Sequence, residues 1–177
     1  TRTLSQYYYS KGSVNGDIYE VINQSNYDLY GYLSSHVEPW MENAMTKHLS
    51  GCTLENFPKD CTQEMYARAL QNIKNDFAFV GLTEKFDESL LIAREHFNWN
   101  HPLYSRKNSS PLTYNAKDIT KRERELILQL NQYDVMLYEY AKERFNEEWN
   151  SISNRKWKIT SFRILNYIKG IKHNFYN

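Results

Sequence analysis

Apolar positions recur along most of the chain at steps of three and four, the period of a helix that buries one stripe. Thr3 to Lys11 contains no breaker and reads as a helix that stops at Lys11-Gly12-Ser13, with Tyr7, Tyr8 and Tyr9 supplying rings. Asp17 to Leu33 reads as a second helical stretch through Ile18, Val21, Ile22, Leu29 and Leu33, and Pro39 opens a third that runs to Leu49 and closes at Gly51. Proline at a first helical turn is free of cost because its N–H would be unpaired anyway. Asp60-Cys-Thr-Gln63 has capping-box spacing, and the helix behind it places Met65, Ala69, Leu70 and Ile73 on one face.

At Phe77-Ala-Phe-Val80 the period changes: a short apolar run ending at Gly81 has the form of a fully buried parallel strand, with Thr83 placed to cap a helix Glu84–Phe97. Helix, buried strand and helix in that order predict an α/β fold. His101-Pro102 ends the helix, and Leu103–Lys117 is a Ser-, Asn- and Pro-rich loop carrying Arg106-Lys107. Thr120-Lys-Arg-Glu123 is a second capping box, and from it the longest helix runs through Leu126, Leu130, Tyr133, Leu137, Tyr140, Ala141 and Phe145. Beyond Trp149 the pattern weakens.

Composition narrows the class. The 177 residues are 41% hydrophobic and 15% aromatic, enough for the core of one ordinary domain. A mean hydropathy of −0.76 and the lack of any run near the roughly 20 apolar residues of a membrane span exclude a membrane-embedded chain. No secretory n-region and h-region pattern opens the chain. The 22 Lys+Arg and 21 Asp+Glu nearly cancel, which argues against a polyanion as the main partner. That balance hides a division, however. Residues 1–150 hold 16 bases and 21 acids, a net of −5, whereas residues 151–177 hold six bases and no acid. The basic, aromatic tail 151–177 either packs on an acidic face of the body or contacts a phosphate-rich surface or anionic polysaccharide.

Catalytic motifs are scarce. The chain has no Gly-rich phosphate loop, H-E-x-x-H, C-x-x-C or G-x-S-x-G, and His36, His48, His96, His101 and His173 lack metal-ligand spacing. Several segments instead carry a resemblance in matching order. Thr1-Arg-Thr-Leu-Ser-Gln-Tyr-Tyr-Tyr9 is similar to the end of the 3′-phosphate-binding motif of carbohydrate sulfotransferases, Arg-x-x-Ser-x-Tyr. Asn43-Ala-Met-Thr-Lys-His-Leu-Ser-Gly51 is similar to their Asn-x-x-Thr-(Arg/Lys)-x-Leu-x-Gly segment. Phe77-Ala-Phe-Val-Gly-Leu-Thr-Glu-Lys-Phe-Asp-Glu-Ser-Leu90 and Asn131-Gln-Tyr-Asp-Val-Met-Leu-Tyr-Glu-Tyr-Ala-Lys142 resemble the Golgi-type enzymes that modify galactose and heparan chains, and their bacterial relatives.

The resemblance implies a transferase that moves a sulfuryl group from the nucleotide donor PAPS to a carbohydrate hydroxyl, without a metal. It also implies a P-loop-like α/β sulfotransferase fold, represented here by a mostly helical C-terminal portion around one parallel strand. Ser5 is the residue it places on the donor's 3′-phosphate, at a helix start where N–H groups favour an anion. Arg2 either approaches that phosphate or braces the helix. Gly81, Leu82 and Thr83 frame the nucleotide pocket, with a chain turn and a helix cap as the plain alternative. Arg106 and Lys107 either cover the 3′-phosphate or form a solvated pair. Asp87 and Glu88 favour a helix dipole and take no part in catalysis.

In such relatives the Lys-rich phosphate loop, the catalytic His or Glu and the first Arg of the phosphate motif precede the position of Thr1. The resemblance therefore implies that residues 1–150 are the C-terminal part of a sulfotransferase domain, inactive alone, with 151–177 as a basic annex. The other readings are a non-catalytic glycan- or nucleotide-binding remnant and a nucleic-acid binder acting through the tail. Cys52 and Cys61 either close a disulfide in an oxidising lumen, worth about 2–3 kcal/mol, or remain free thiols. Asn23-Gln-Ser25 and Asn108-Ser-Ser110 are glycosylation sequons that suit the Golgi lumen, whereas bacterial relatives imply a reduced cytoplasm.

Overall fold

The structure, a computed structural model, describes residues 17–24, 28–36, 39–100, 102–104 and 119–175. The chain forms two compact units, one from Thr1–Asn72 and Ser110–Leu137, the other from Ile73–Ser109 and Tyr138–Asn177. Eight α-helices are found among the described residues: α1 Asp17–Gln24, α2 Leu29–Ser34, α3 Ala44–Leu49, α4 Gln63–Asn75, α5 Phe86–Phe97, α6 Lys121–Leu130, α7 Gln132–Ser151 and α8 Arg155–Phe175. Short 3-10 turns occupy Pro39–Met41, Leu54–Asn56 and Thr83–Lys85.

The expected α/β fold around a parallel strand is overturned: every regular element among the described residues is a helix or 3-10 turn, and none is a strand. Phe77–Val80 is irregular, Phe77 is 43% exposed, and among the described residues no second extended segment pairs with this run. A strand exists only where a neighbour accepts and donates its ladder hydrogen bonds. Here the Phe77 and Ala78 carbonyls accept instead from the Arg144 guanidinium on α7, at 2.7 and 3.2 Å.

Other boundaries shift for identifiable reasons. Asp17–Leu33 divides into α1 and α2, and Asp28 caps α2 by accepting the Tyr30 N–H at 3.0 Å. Pro39 opens a 3-10 turn rather than α3, because Asn43 takes a left-handed conformation (φ 47°) between them. Gly51, at φ 97°, ends α3 in a conformation that side-chain-bearing residues avoid. The helix α4 begins at Gln63, and Thr62 rather than Asp60 accepts the Met65 N–H, at 3.2 Å. Thr83 starts a 3-10 turn and does not cap α5, whose preceding residue is Lys85. The Thr120–Glu123 capping box forms with both bonds present, but the helix it opens breaks at Asn131 into α6 and α7. The expected helix Thr3–Lys11 lies outside the described residues.

In the first unit, Ile22, Leu29, Tyr32, Leu33, Met41 and Leu130 form the core, with Ile119, Leu126 and Ile127 packed on it. The break at Asn131 allows a reciprocal cap. The Asn43 side-chain oxygen accepts the Tyr133 and Asp134 N–H groups at the start of α7, at 2.9 and 3.1 Å. Asp134 in turn accepts the Met45 and Thr46 N–H groups at the start of α3, at 3.1 and 2.7 Å, and the Thr46 hydroxyl at 2.7 Å. The Asn43 amide donates to the Leu130 carbonyl at 2.8 Å, and its backbone N–H to Asn131 Oδ1 at 3.0 Å.

Asn43 and Thr46 are buried, so the N–H groups that lose their partners around them have restricted access to water in replacement. Asn43→Ala or Asp134→Ala is expected to cost about 1–3 kcal/mol. The urea midpoint of the first unit, followed through Tyr133 and Leu130 amide signals, checks this, and an unchanged midpoint contradicts it.

Candidate functional site

The second unit carries Phe77–Leu90, the segment on which the expected sulfotransferase resemblance chiefly rests. Arg144 anchors its entry: beyond the bonds to Phe77 and Ala78, the guanidinium donates to the Ile73 carbonyl and to Glu148 at 2.9 Å. The side chains of Phe79 and Val80 then pack on a core of Leu82, Ile92, Ala141 and Phe145. Gly81 follows, and its missing side chain matters. A Cβ there would lie 3.1 Å from Ser89 Cβ and 3.3 Å from Ser89 Oγ.

That close approach brings Ser89, buried on α5, against the backbone before the helix. Its hydroxyl accepts the Leu82 N–H at 2.9 Å and faces the Lys85 and Leu82 carbonyls at 2.8 and 3.1 Å. The polar groups of a tight bend are thus satisfied internally, as burial demands. Glu84, in the same turn, accepts a hydrogen bond from the Tyr138 hydroxyl. This bond holds the Glu84 carboxyl below its ordinary pKa and pushes the Tyr138 phenol up.

The bend leaves an apolar cavity of about 280 Å³ lined by Phe79, Gly81, Leu82, Thr83, Phe86, Ser89, Leu90, Ala93 and Trp99. Its aromatic wall is extended by ring contacts. Phe86 meets Tyr104 edge-on with centroids 4.8 Å apart, Phe97 stacks on Trp99 at 5.4 Å, and Phe79 meets Phe97 edge-on at 5.8 Å. Trp99 remains 47% exposed and Phe86 46%. Small-molecule sites usually enclose about 300–1,000 Å³; this cavity lies just below that range and is open to solvent.

Of the residues singled out in the sequence, Gly81, Leu82 and Thr83 come together at this cavity. Ser5, Arg2, Arg106 and Lys107 lie outside the described residues. Asp87 and Glu88 stand in the first turn of α5 and bind Arg163 of α8 at 2.9 and 3.2 Å, an ion-pair role that needs no chemistry. Sequence reasoning missed Ser89, Phe86 and Trp99. The signal for Ser89 was the spacing Gly81-x7-Ser89, one small residue facing another across a turn.

Lys47, within another of the resembling segments, is fully buried. Its ammonium donates to the Pro39 carbonyl at 2.9 Å and the Lys59 carbonyl at 2.5 Å and lies 5.4 Å from the Phe57 ring centroid. Burial lowers its pKa, and its donors are spent inside the fold rather than offered to a ligand. Cys52 and Cys61 are free thiols rather than a disulfide, and burial pushes the Cys61 thiol up to about 11. His36 and His96 pair with Glu42 and Glu148, while the His48 ring lies 4.7 Å from Phe57. Among the described residues no group of His, Cys, Asp and Glu is arranged to hold a metal, and no helix is long and apolar enough to cross a membrane.

No family model, curated protein or solved structure matches the chain.

Two outcomes test the local geometry. Ser89→Ala strips the acceptor from a buried Leu82 N–H and is expected to cost about 1–3 kcal/mol, with faster hydrogen exchange at Leu82. Cys61, with a native pKa of about 11 against 9.0 for a free thiol, is expected to react with iodoacetamide at pH 9 roughly 50-fold more slowly than in urea. Equal rates in the two states, read by mass spectrometry, contradict the burial of that thiol.

Proposed function

We propose that this chain supplies one wall of the donor site of a PAPS-dependent carbohydrate sulfotransferase. The observation that carries the reading is that Gly81, Leu82 and Thr83, expected at the donor as the end of a strand within the segment of resemblance, line an apolar, aromatic-walled cavity although that strand does not form among the described residues. A purine ring presents two flat faces that stack on aromatic side chains such as Phe79, Phe86 and Trp99. The Thr83 side chain is exposed at the same place and offers a hydroxyl to a ring nitrogen or ribose oxygen.

In the transfer, the acceptor sugar's hydroxyl oxygen attacks sulfur in line. The bond between sulfur and the bisphosphate oxygen breaks, and the hydroxyl proton passes to a base. None of the residues described above is assigned that base, so the contribution proposed for this chain is binding and orientation. Asp87 and Glu88 are committed to Arg163 and take no step.

The test is a titration of adenosine 3′,5′-bisphosphate, the donor's leaving group, into isotope-labelled chain. Amide shifts at Gly81 and Thr83 and at the Trp99 indole are expected, with Thr83→Val and Trp99→Ala each weakening binding by roughly tenfold, about 1.4 kcal/mol. Shifts absent from all three positions at millimolar ligand overturn the proposal.

A further inference from the structure

Most arginine and lysine side chains described in the second unit are engaged by the protein itself. Arg144 and Lys169 donate to backbone carbonyls, as does Arg155 to the Asn150 carbonyl at 2.8 Å. Lys142, Lys158 and Arg163 pair with carboxylates, Lys74 stands 5.3 Å from the Tyr140 ring centroid, and Lys85 lies in the field of Glu84. Among the described residues of this unit two have no such partner, Lys156 and Arg94. Lys156 is exposed on α8, whereas Arg94 is half-buried on α5. The residues three and four steps from Arg94 on its helix are Leu90, Leu91, Phe97 and Asn98, so no carboxylate of α5 stands beside it. A guanidinium has five N–H donors to satisfy, and here the protein supplies an acceptor to none.

Its place bears on the cavity. Ala93 precedes it, Leu90 lies one turn earlier, and the Trp99 N–H donates to the Arg94 carbonyl at 3.3 Å; Ala93, Leu90 and Trp99 all line the cavity. The lining itself offers hydroxyls but no charged side chain. A phosphate-bearing ligand held there must find its counter-charge at the rim.

We propose that Arg94 is the phosphate contact of this cavity and makes it select an anionic nucleotide over the bare nucleoside. The inference rests on the donor-site reading above. A guanidinium presents paired N–H groups that match two phosphate oxygens, and the charges of both partners strengthen those bonds. The last turn of α5 also favours a cation through the helix dipole. That structural role alone predicts a loss of stability on substitution and an unchanged ligand preference, so experiment separates the two.

Calorimetric titration of adenosine and of adenosine 3′,5′-bisphosphate into the full 177-residue chain tests the assignment. The native chain is expected to bind the bisphosphate at least about tenfold more tightly than adenosine at low salt, and the difference to shrink as salt is raised. Arg94→Gln is expected to bring the bisphosphate to the affinity of adenosine with the circular dichroism of the native chain retained. Arg94→Lys is expected to keep part of the preference and Lys156→Gln all of it. Adenosine binding accompanied by equal affinities in the native chain, by a preference that survives Arg94→Gln, or by one that Lys156→Gln removes as fully, overturns the assignment and leaves the donor-site reading standing. Failure of both ligands to bind overturns the two together.

Discussion

Two helix N-termini that cap one another govern the first unit. Each helix start leaves N–H groups without intrahelical partners, and burying them unsatisfied would cost more than the helices return. Asn43 and Asp134 solve both problems at once, each supplying oxygen to the other's helix. Two secondary features follow. Asn43 must turn left-handed to aim its amide, which is why Pro39–Leu49 is not one helix. The chain must break at Asn131 to expose the α7 N–H groups, which is why the longest apolar pattern yields two helices. Lys47, one turn into α3, is then carried into the interior, where carbonyls and the Phe57 ring replace its water.

The second unit is arranged around irregular backbone. Between Phe77 and Lys85 no ladder satisfies the peptide groups, so side chains do: Arg144 takes the carbonyls on entry and Ser89 takes the bend. Glycine at position 81 favours the second of these, since a Cβ there would stand 3.1 Å from Ser89 and require it to shift. The same bend turns Phe79, Thr83 and Phe86 towards one space and so creates the cavity. Structure and the proposed binding role therefore share their residues, and Gly81 serves both.

The parts of this molecule that were legible in the sequence are those with local causes. The Thr120–Glu123 box, the termination of α3 at Gly51 and the buried face of Ala69 and Ile73 on α4 each depend on residues a few positions apart. The misreadings arise where distant partners decide. Phe77-Ala-Phe-Val80 has strand composition, but a ladder needs a second strand, and the partner its carbonyls find is an arginine 66 and 67 residues away. The break at Asn131 depends on Asn43, 88 residues earlier in the chain. Of the candidate site, Gly81 to Thr83 were expected together as the end of a strand that the described residues do not form, and they meet Trp99 and Phe86 at the cavity through the geometry of the bend instead.

The basic tail shows how charge counted along a sequence divides in space. Lys158 and Arg163 are engaged by carboxylates of the acidic body, while the apolar side chains of the same helix stay outside. The central claim of the account concerns the cavity, that it receives the nucleotide of a sulfuryl donor. A crystal structure of the chain grown with adenosine 3′,5′-bisphosphate tests it most directly. The account predicts the adenine ring between Phe86 and Trp99 with its edge at Thr83, and nucleotide density bound elsewhere with this cavity empty would contradict it.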